Sequence, residues 1–230
     1  MRVLSQQLLG LLFPSRCSSC DALGAEPFCA GCAETLLFAP AGCALCGAPL
    51  DEALLPALRP RRCGPCRAHA PPFVLARAPF LHGGALAEAI HALKYEQREE
   101  LARPLGALFE AVEPPRVEVI CPLPLHPSRL RHRGYDQAAL LAQEAGRRFG
   151  IPVETLLERA RATPPQVGRD RKARSKNVQG AFRAHARAWG RSICLIDDVL
   201  TTGATAGEAA RALYAAGARR VEVRTLSRAP

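Results

Sequence analysis

Four Cys-x₂-Cys pairs crowd the first third of this 230-residue chain: Cys17 and Cys20, Cys29 and Cys32, Cys43 and Cys46, Cys63 and Cys66. Each pair sets two thiolates on one tight knuckle, and two knuckles complete a tetrahedral set of soft ligands. Zn²⁺ is the ion that this chemistry favours. Its role would be structural, because protein sulfur fills every position. Sequential pairing gives one ion to Cys17, Cys20, Cys29 and Cys32 and a second to Cys43, Cys46, Cys63 and Cys66. The eight-residue gap between Cys20 and Cys29 favours that ribbon-like arrangement, although spacing alone leaves a cross-braced one open.

The cysteine-rich stretch also divides the chain. Residues 14 to about 70 hold eight of the ten cysteines, many prolines and few β-branched residues. From Phe73 onward the pattern is that of an alternating α/β domain. The expected organisation is therefore a metal module with an N-terminal helix over 1–70 and an α/β domain over 71–230. Hydrophobic residues make up 48% of the chain, enough for a core and too many for global disorder. The net charge of +10 suits an anionic partner: nucleic acid, a phosphorylated metabolite or an acidic protein. A GC-rich gene would produce the same bias toward Ala, Gly, Pro and Arg.

No stretch reaches the roughly eighteen uninterrupted apolar residues that a membrane span needs. The opening run to Pro14 has the look of a leader, but Gln6 and Gln7 interrupt it and no small-x-small site precedes Cys17. It reads instead as a short amphipathic helix in a cytoplasmic protein, where cysteine pairs bind metal more often than they form disulfides.

Within the α/β part, Phe73–Ala78 reads as a strand, and Leu86, Ile90 and Leu93 share one helix face. A second helix carries Leu101, Leu105 and Leu108. Val117–Cys121 is a short strand stopped by Pro122 and Pro124. Helix follows over Asp136–Phe149, and Val153–Leu157 suggests another strand. Residues 158–180 show no usable periodicity and predict a charged loop long enough to serve as a lid or binding loop. Ile193–Ile196 is a buried strand, Ala206–Ala216 a helix ended by Gly217, and Val221–Leu226 a return to the sheet. Strand, turn, helix and strand in this order imply a right-handed parallel crossover.

The segment Ile196-Asp197-Asp198-Val199-Leu200-Thr201-Thr202-Gly203-Ala204-Thr205 carries the most chemistry. A parallel strand ends in two carboxylates and enters a helix through a small-residue turn, at the sheet edge where open α/β folds place ligands. Thr201, Thr202, Gly203, Ala204 and Thr205 can aim backbone N–H groups and hydroxyls at one anion, such as a 5′-phosphate. Asp197 and Asp198 would repel a phosphate. They suit vicinal sugar hydroxyls, or Mg²⁺ held through water.

These residues resemble the signature by which type I phosphoribosyltransferases bind phosphoribosyl pyrophosphate (PRPP): two acids, then Thr-Thr-Gly-x-Thr. Three further segments narrow the likeness to the ComF family of competence-related proteins, and it then extends over nearly the whole chain. They are Leu93-Lys94-Tyr95, the block from Cys121 to Gln137, and Thr163–Phe182 with Gln166, Arg171, Arg174, Asn177 and Phe182. The resemblance implies a type I phosphoribosyltransferase-like open parallel sheet behind a double zinc-ribbon module, with PRPP and Mg²⁺ as ligands. Two positions depart from the family pattern. Cys121 stands in place of valine, a packing change. Asp136 replaces asparagine and adds negative charge near the pyrophosphate side.

By the same resemblance, Leu125, Arg129 and Arg133 face the pyrophosphate, with Arg131 on the same rim. Tyr135 and Gln137 are expected to anchor the next helix. From Arg159 to Arg191 there are ten Lys or Arg residues and one acid. A lid there would bring Arg171 and Arg174 over the leaving pyrophosphate. No residue offers itself as a general base. Three functions follow from the resemblance: phosphoribosyl transfer to an unidentified acceptor, an accessory role in DNA uptake beside single-stranded DNA and a helicase or recombination partner, or ligand sensing without chemistry.

Overall fold

The computed structural model describes residues 15–51, 61–161 and 178–229. The expected N-terminal helix and most of the expected lid, including Gln166, Arg171, Arg174 and Asn177, lie outside the described residues.

The architecture is an open parallel sheet with helices on both faces and a cysteine-rich region along one edge. Its strands are β1 (Leu75–Arg77), β2 (Phe80–Leu81), β3 (Val119–Pro122), β6 (Ser192–Leu200) and β7 (Arg220–Arg228), in the order β1-β7-β6-β3. β2 continues the β1 edge along β7, so the two form one edge interrupted around Pro79. All four pairings are parallel. Two short strands, β4 (Leu157–Arg159) and β5 (Phe182–Ala184), pair antiparallel in a separate ribbon.

Alternation along β6 decides the layers, because successive side chains point to opposite faces. Ile193 and Leu195 join the cluster under helix α5 (Ala204–Ala215), with Val221, Val223 and Leu213. Cys194 and Ile196 join the opposite cluster, with α1 (Gly84–Tyr95), α2 (Ala102–Ala107) and α4 (Gln137–Phe149). Cys121 and Cys194 are core residues, and burial pushes both thiols up to about 12.

Three expectations need correction. Val153 makes only a parallel bridge to Ile120, and the strand begins later, at Leu157, where it turns to β5. The stretch after Pro122, for which the sequence offered no regular element, is not irregular throughout. Pro127–Arg133 forms helix α3, capped by the His126 side chain, with Pro127 in the first turn and left-handed Gly134 (φ 87°) at its end. β6 does not stop before the acid pair, for Asp197 pairs with Thr225 and Val199 with Ser227 along the longer β7.

Candidate functional site

Both expected cysteine sets assemble, in the sequential pairing. Within each set the four sulfur atoms lie within 4.8 Å of one another. A tetrahedron with Zn–S bonds of about 2.3 Å has sulfur–sulfur edges of about 3.8 Å. Cys20 and Cys29 stand 3.6 Å apart, Cys46 and Cys63 3.7 Å. In the absence of an ion each set favours one thiolate, while burial pushes up Cys63 and Cys66, and neighbouring sulfurs push up these two together with Cys20 and Cys32. Burial opposes ionisation of Cys17, but the amides of Cys20, Cys29 and Ser19 outweigh it and hold the thiol down to about 6. At Cys43 the amides of Cys46, Cys63 and Leu45 likewise overcome burial and hold the thiol down to about 7. Two structural zinc ions fit these centres.

The second constellation sits at the carboxyl ends of β3 and β6, in a cleft of about 200 Å³. Of the residues singled out from the sequence, Leu125, Arg129, Arg133, Asp197, Asp198, Thr201 and Thr205 line it, and Thr202, Gly203 and Ala204 do not. Nor does Arg131. In α3, residues 129 and 133 share a face and 131 lies away from it.

Three lining residues carry roles that sequence reasoning missed. Lys94, on the last turn of α1, places Nζ 2.6 Å from Asp198 Oδ1. Burial works against its charge, but Asp198 prevails and raises its pKa. Gln137 does begin α4, yet its buried amide also donates to Asp198 Oδ2 at 3.0 Å and accepts from Arg133. Arg159 is folded back by the β4–β5 ribbon and lies over the Phe182 ring, 5.3 Å from its centroid. A basic residue ending an apolar helix was the available signal for Lys94. Arg159 had none, being one of many arginines.

The two carboxylates differ in setting. Asp198 is 2% exposed and engages both Lys94 and Gln137. Asp197 is half-buried, and burial together with Asp198 pushes its carboxyl up to about 8 against the pull of Lys94. Asp136 does bring negative charge to bear on the cleft, adding to the upward push on Asp197 and supporting the charge of Arg159. It also caps α4 through the amides of Ala138 and Ala139 and holds the Leu125 amide at 2.9 Å. Burial raises its pKa while those amides lower it.

The turn after β6 has the expected form. Gly203 takes the left-handed conformation (φ 76°), which a side chain would strain, and α5 begins at the next residue. Ala204 N–H donates to Thr202 Oγ1 at 3.3 Å. The first turn of α5 therefore opens toward the cleft with Thr201 and Thr205 on its wall.

No family model matches the chain. It is 31% identical to DNA utilization protein YhgH of Escherichia coli K12, over 95% of this chain and 99% of that one. The chain belongs to the ComF family. A second member, competence protein F of Haemophilus influenzae, is 28% identical over 94% of this chain and 98% of its own. Among solved structures, glutamine PRPP amidotransferase from B. subtilis, complexed with ADP and GMP, is similar over 53% of this chain and 25% of that chain. Its TM-score is 0.38, at 21% identity.

Proposed function

We propose that the cleft of this ComF-family protein binds Mg²⁺–PRPP and serves phosphoribosyl transfer to an acceptor, within a role in competence or DNA utilization. The observation that carries the reading is convergence. An acid pair, a Thr/Gly helix entry and four cations (Lys94, Arg129, Arg133 and Arg159) meet at one end of a parallel sheet. Few ligands need all three, and a sugar bearing phosphates at both ends does.

In this reading Thr201–Thr205 seat the 5′-phosphate against the first turn of α5, where the helix dipole favours negative charge. Arg129 and Arg133 take the pyrophosphate, joined from the lid by Arg171 and Arg174. Asp197 receives sugar hydroxyls or a hydrated Mg²⁺, while Lys94 and Gln137 hold Asp198 in place beside it. Bound Mg²⁺ would neutralise charge on the departing pyrophosphate. Transfer forms a bond from the acceptor to the ribosyl C1 as the bond from C1 to the pyrophosphate oxygen breaks.

Calorimetry with PRPP tests the reading. Affinity should require Mg²⁺ and fall at least tenfold in Asp197→Asn. Unchanged affinity would remove the hydroxyl-binding role. Time-dependent pyrophosphate release with candidate acceptors tests the transfer step separately. A second reading, a single-stranded DNA-binding accessory protein, draws support from the relatives' names and the net charge of +10. Its test is a DNA affinity that falls steeply with salt; a salt-independent affinity would reject it.

A further inference from the structure

Arg228 ends β7, and its guanidinium stands between two parts of the molecule that lie far apart in sequence. Its Nη1 donates to the carbonyl of Leu200 at 2.9 Å and to that of Thr201, the two residues that lead β6 into the Thr/Gly turn. Its Nη2 points at Cys46 Sγ, 4.0 Å away and 182 residues distant along the chain. The side chain is 9% exposed, and among the described residues Nε finds no acceptor, so the two terminal nitrogens alone hold it.

We propose that Arg228 is a positioning residue that ties the second cysteine centre to the phosphate-binding turn, so that the sulfur of Cys46 helps to fix the shape of Thr201–Thr205. The inference rests on the reading of that turn as the phosphate seat. Its physics is electrostatic. Four thiolates around one Zn²⁺ leave net negative charge, and a buried guanidinium beside them is held more firmly than one facing neutral groups. Held there, it presents Nη1 to two adjacent carbonyls and limits how far the turn can open. Among the described residues the first centre has no such link. Its neighbourhood reaches α1 instead, through Ser19 to Glu88 and Thr35 to the Ala85 amide, and the turn beyond α1 through Asp21 to Arg98. One metal module thus supports the helix that carries Lys94, and the other supports the turn.

Hydrogen exchange at the Thr201–Thr205 amides, measured on the zinc-loaded full chain without ligand, tests the link. Arg228→Met should speed exchange there about tenfold while zinc stays at two ions per chain. Cys46→His retains a fourth metal ligand but removes the sulfur, and should have the same effect. The double variant should exchange no faster than either single one, because both break one connection. Effects that multiply, or wild-type exchange in a fully loaded Cys46→His protein, would overturn the proposal. Should Cys46→His fail to hold two zinc ions, Arg228→Lys decides. An ammonium keeps the charge but cannot span sulfur and both carbonyls, so its exchange should rise as in Arg228→Met, and wild-type exchange would count against the link. Ribose 5-phosphate affinity, titrated in parallel, should fall by a similar factor in Arg228→Met. If the wild type does not bind ribose 5-phosphate, the phosphate-seat reading fails while the exchange result still judges the link.

Discussion

The described residues before Phe73 bury only Cys17, Ser18, Cys43 and Cys66, whereas beyond it whole strands disappear from solvent. The two regions are held by different forces. In the first, short turns and one-turn helices surround eight sulfur atoms, and the apolar side chains Leu23, Leu37 and Phe38 stay exposed. In the second, two apolar clusters sandwich a parallel sheet. A segment with so little apolar burial cannot offset its chain entropy without metal, and the sheet can. The contrast teaches that the metal centres are struts against the sheet that carries the acid-lined cleft. Gly84 shows the closeness of that contact, since a Cβ there would stand 2.3 Å from the Thr35 carbonyl oxygen.

The largest expected effect separates the regions outright. A structural zinc centre contributes on the order of 10–16 kcal/mol of binding energy. Chelation should therefore expose residues 15–70 to proteolysis while the sheet amides of β6 and β7 remain protected. Simultaneous loss of protection in both regions would erase the distinction.

Next in size is Lys94→Met, which probes the sheet side. It leaves the Asp198 carboxylate buried without its cation, a change that costs about 3–5 kcal/mol when one partner of a buried pair is removed. Denaturant unfolding should show the loss, and chelation of the wild type should not reproduce it at β6. A cost below about 1 kcal/mol would place the pair among exposed ones.

A third effect is expected from pH. Asp197 is held above its ordinary range by burial and by Asp198. The folded state thus favours the protonated form, so the stabilising contribution is full below the unfolded pKa near 4 and is lost as pH rises toward about 8. Asp197→Asn should flatten that part of the stability profile. Mg²⁺–PRPP, which in our reading engages the carboxylate, should bind more tightly as pH rises over the same window. An affinity independent of pH between 5 and 8 would assign the contact to another group.

Much of the fold was legible in residue spacing. Each cysteine pair announces its own knuckle, because a knuckle is a local structure, whereas which knuckles share an ion is decided only by how the sulfurs assemble. The strands around Ile193 and Val221 announce burial by continuous apolar runs. The cleft was legible where its residues follow one another, as from Asp197 to Thr205. It was not legible where tertiary packing made the contact. Nothing in the local sequence brings Lys94, Gln137 and Asp198 together across β6 and two helices, and the Arg133 to Gln137 contact depends on how α3 meets α4. Asp136 was legible only in part. Its charge does reach Asp197 in the cleft, but its second role, the cap of α4, comes from its place just before the helix.

A crystal structure of the zinc-loaded chain with Mg²⁺ and PRPP would test the central claim most directly. The account predicts the 5′-phosphate within hydrogen-bonding distance of the Thr201–Thr205 amides, with the pyrophosphate facing Arg129 and Arg133. Density for PRPP elsewhere, with this turn and both aspartates untouched at saturating ligand, would contradict it.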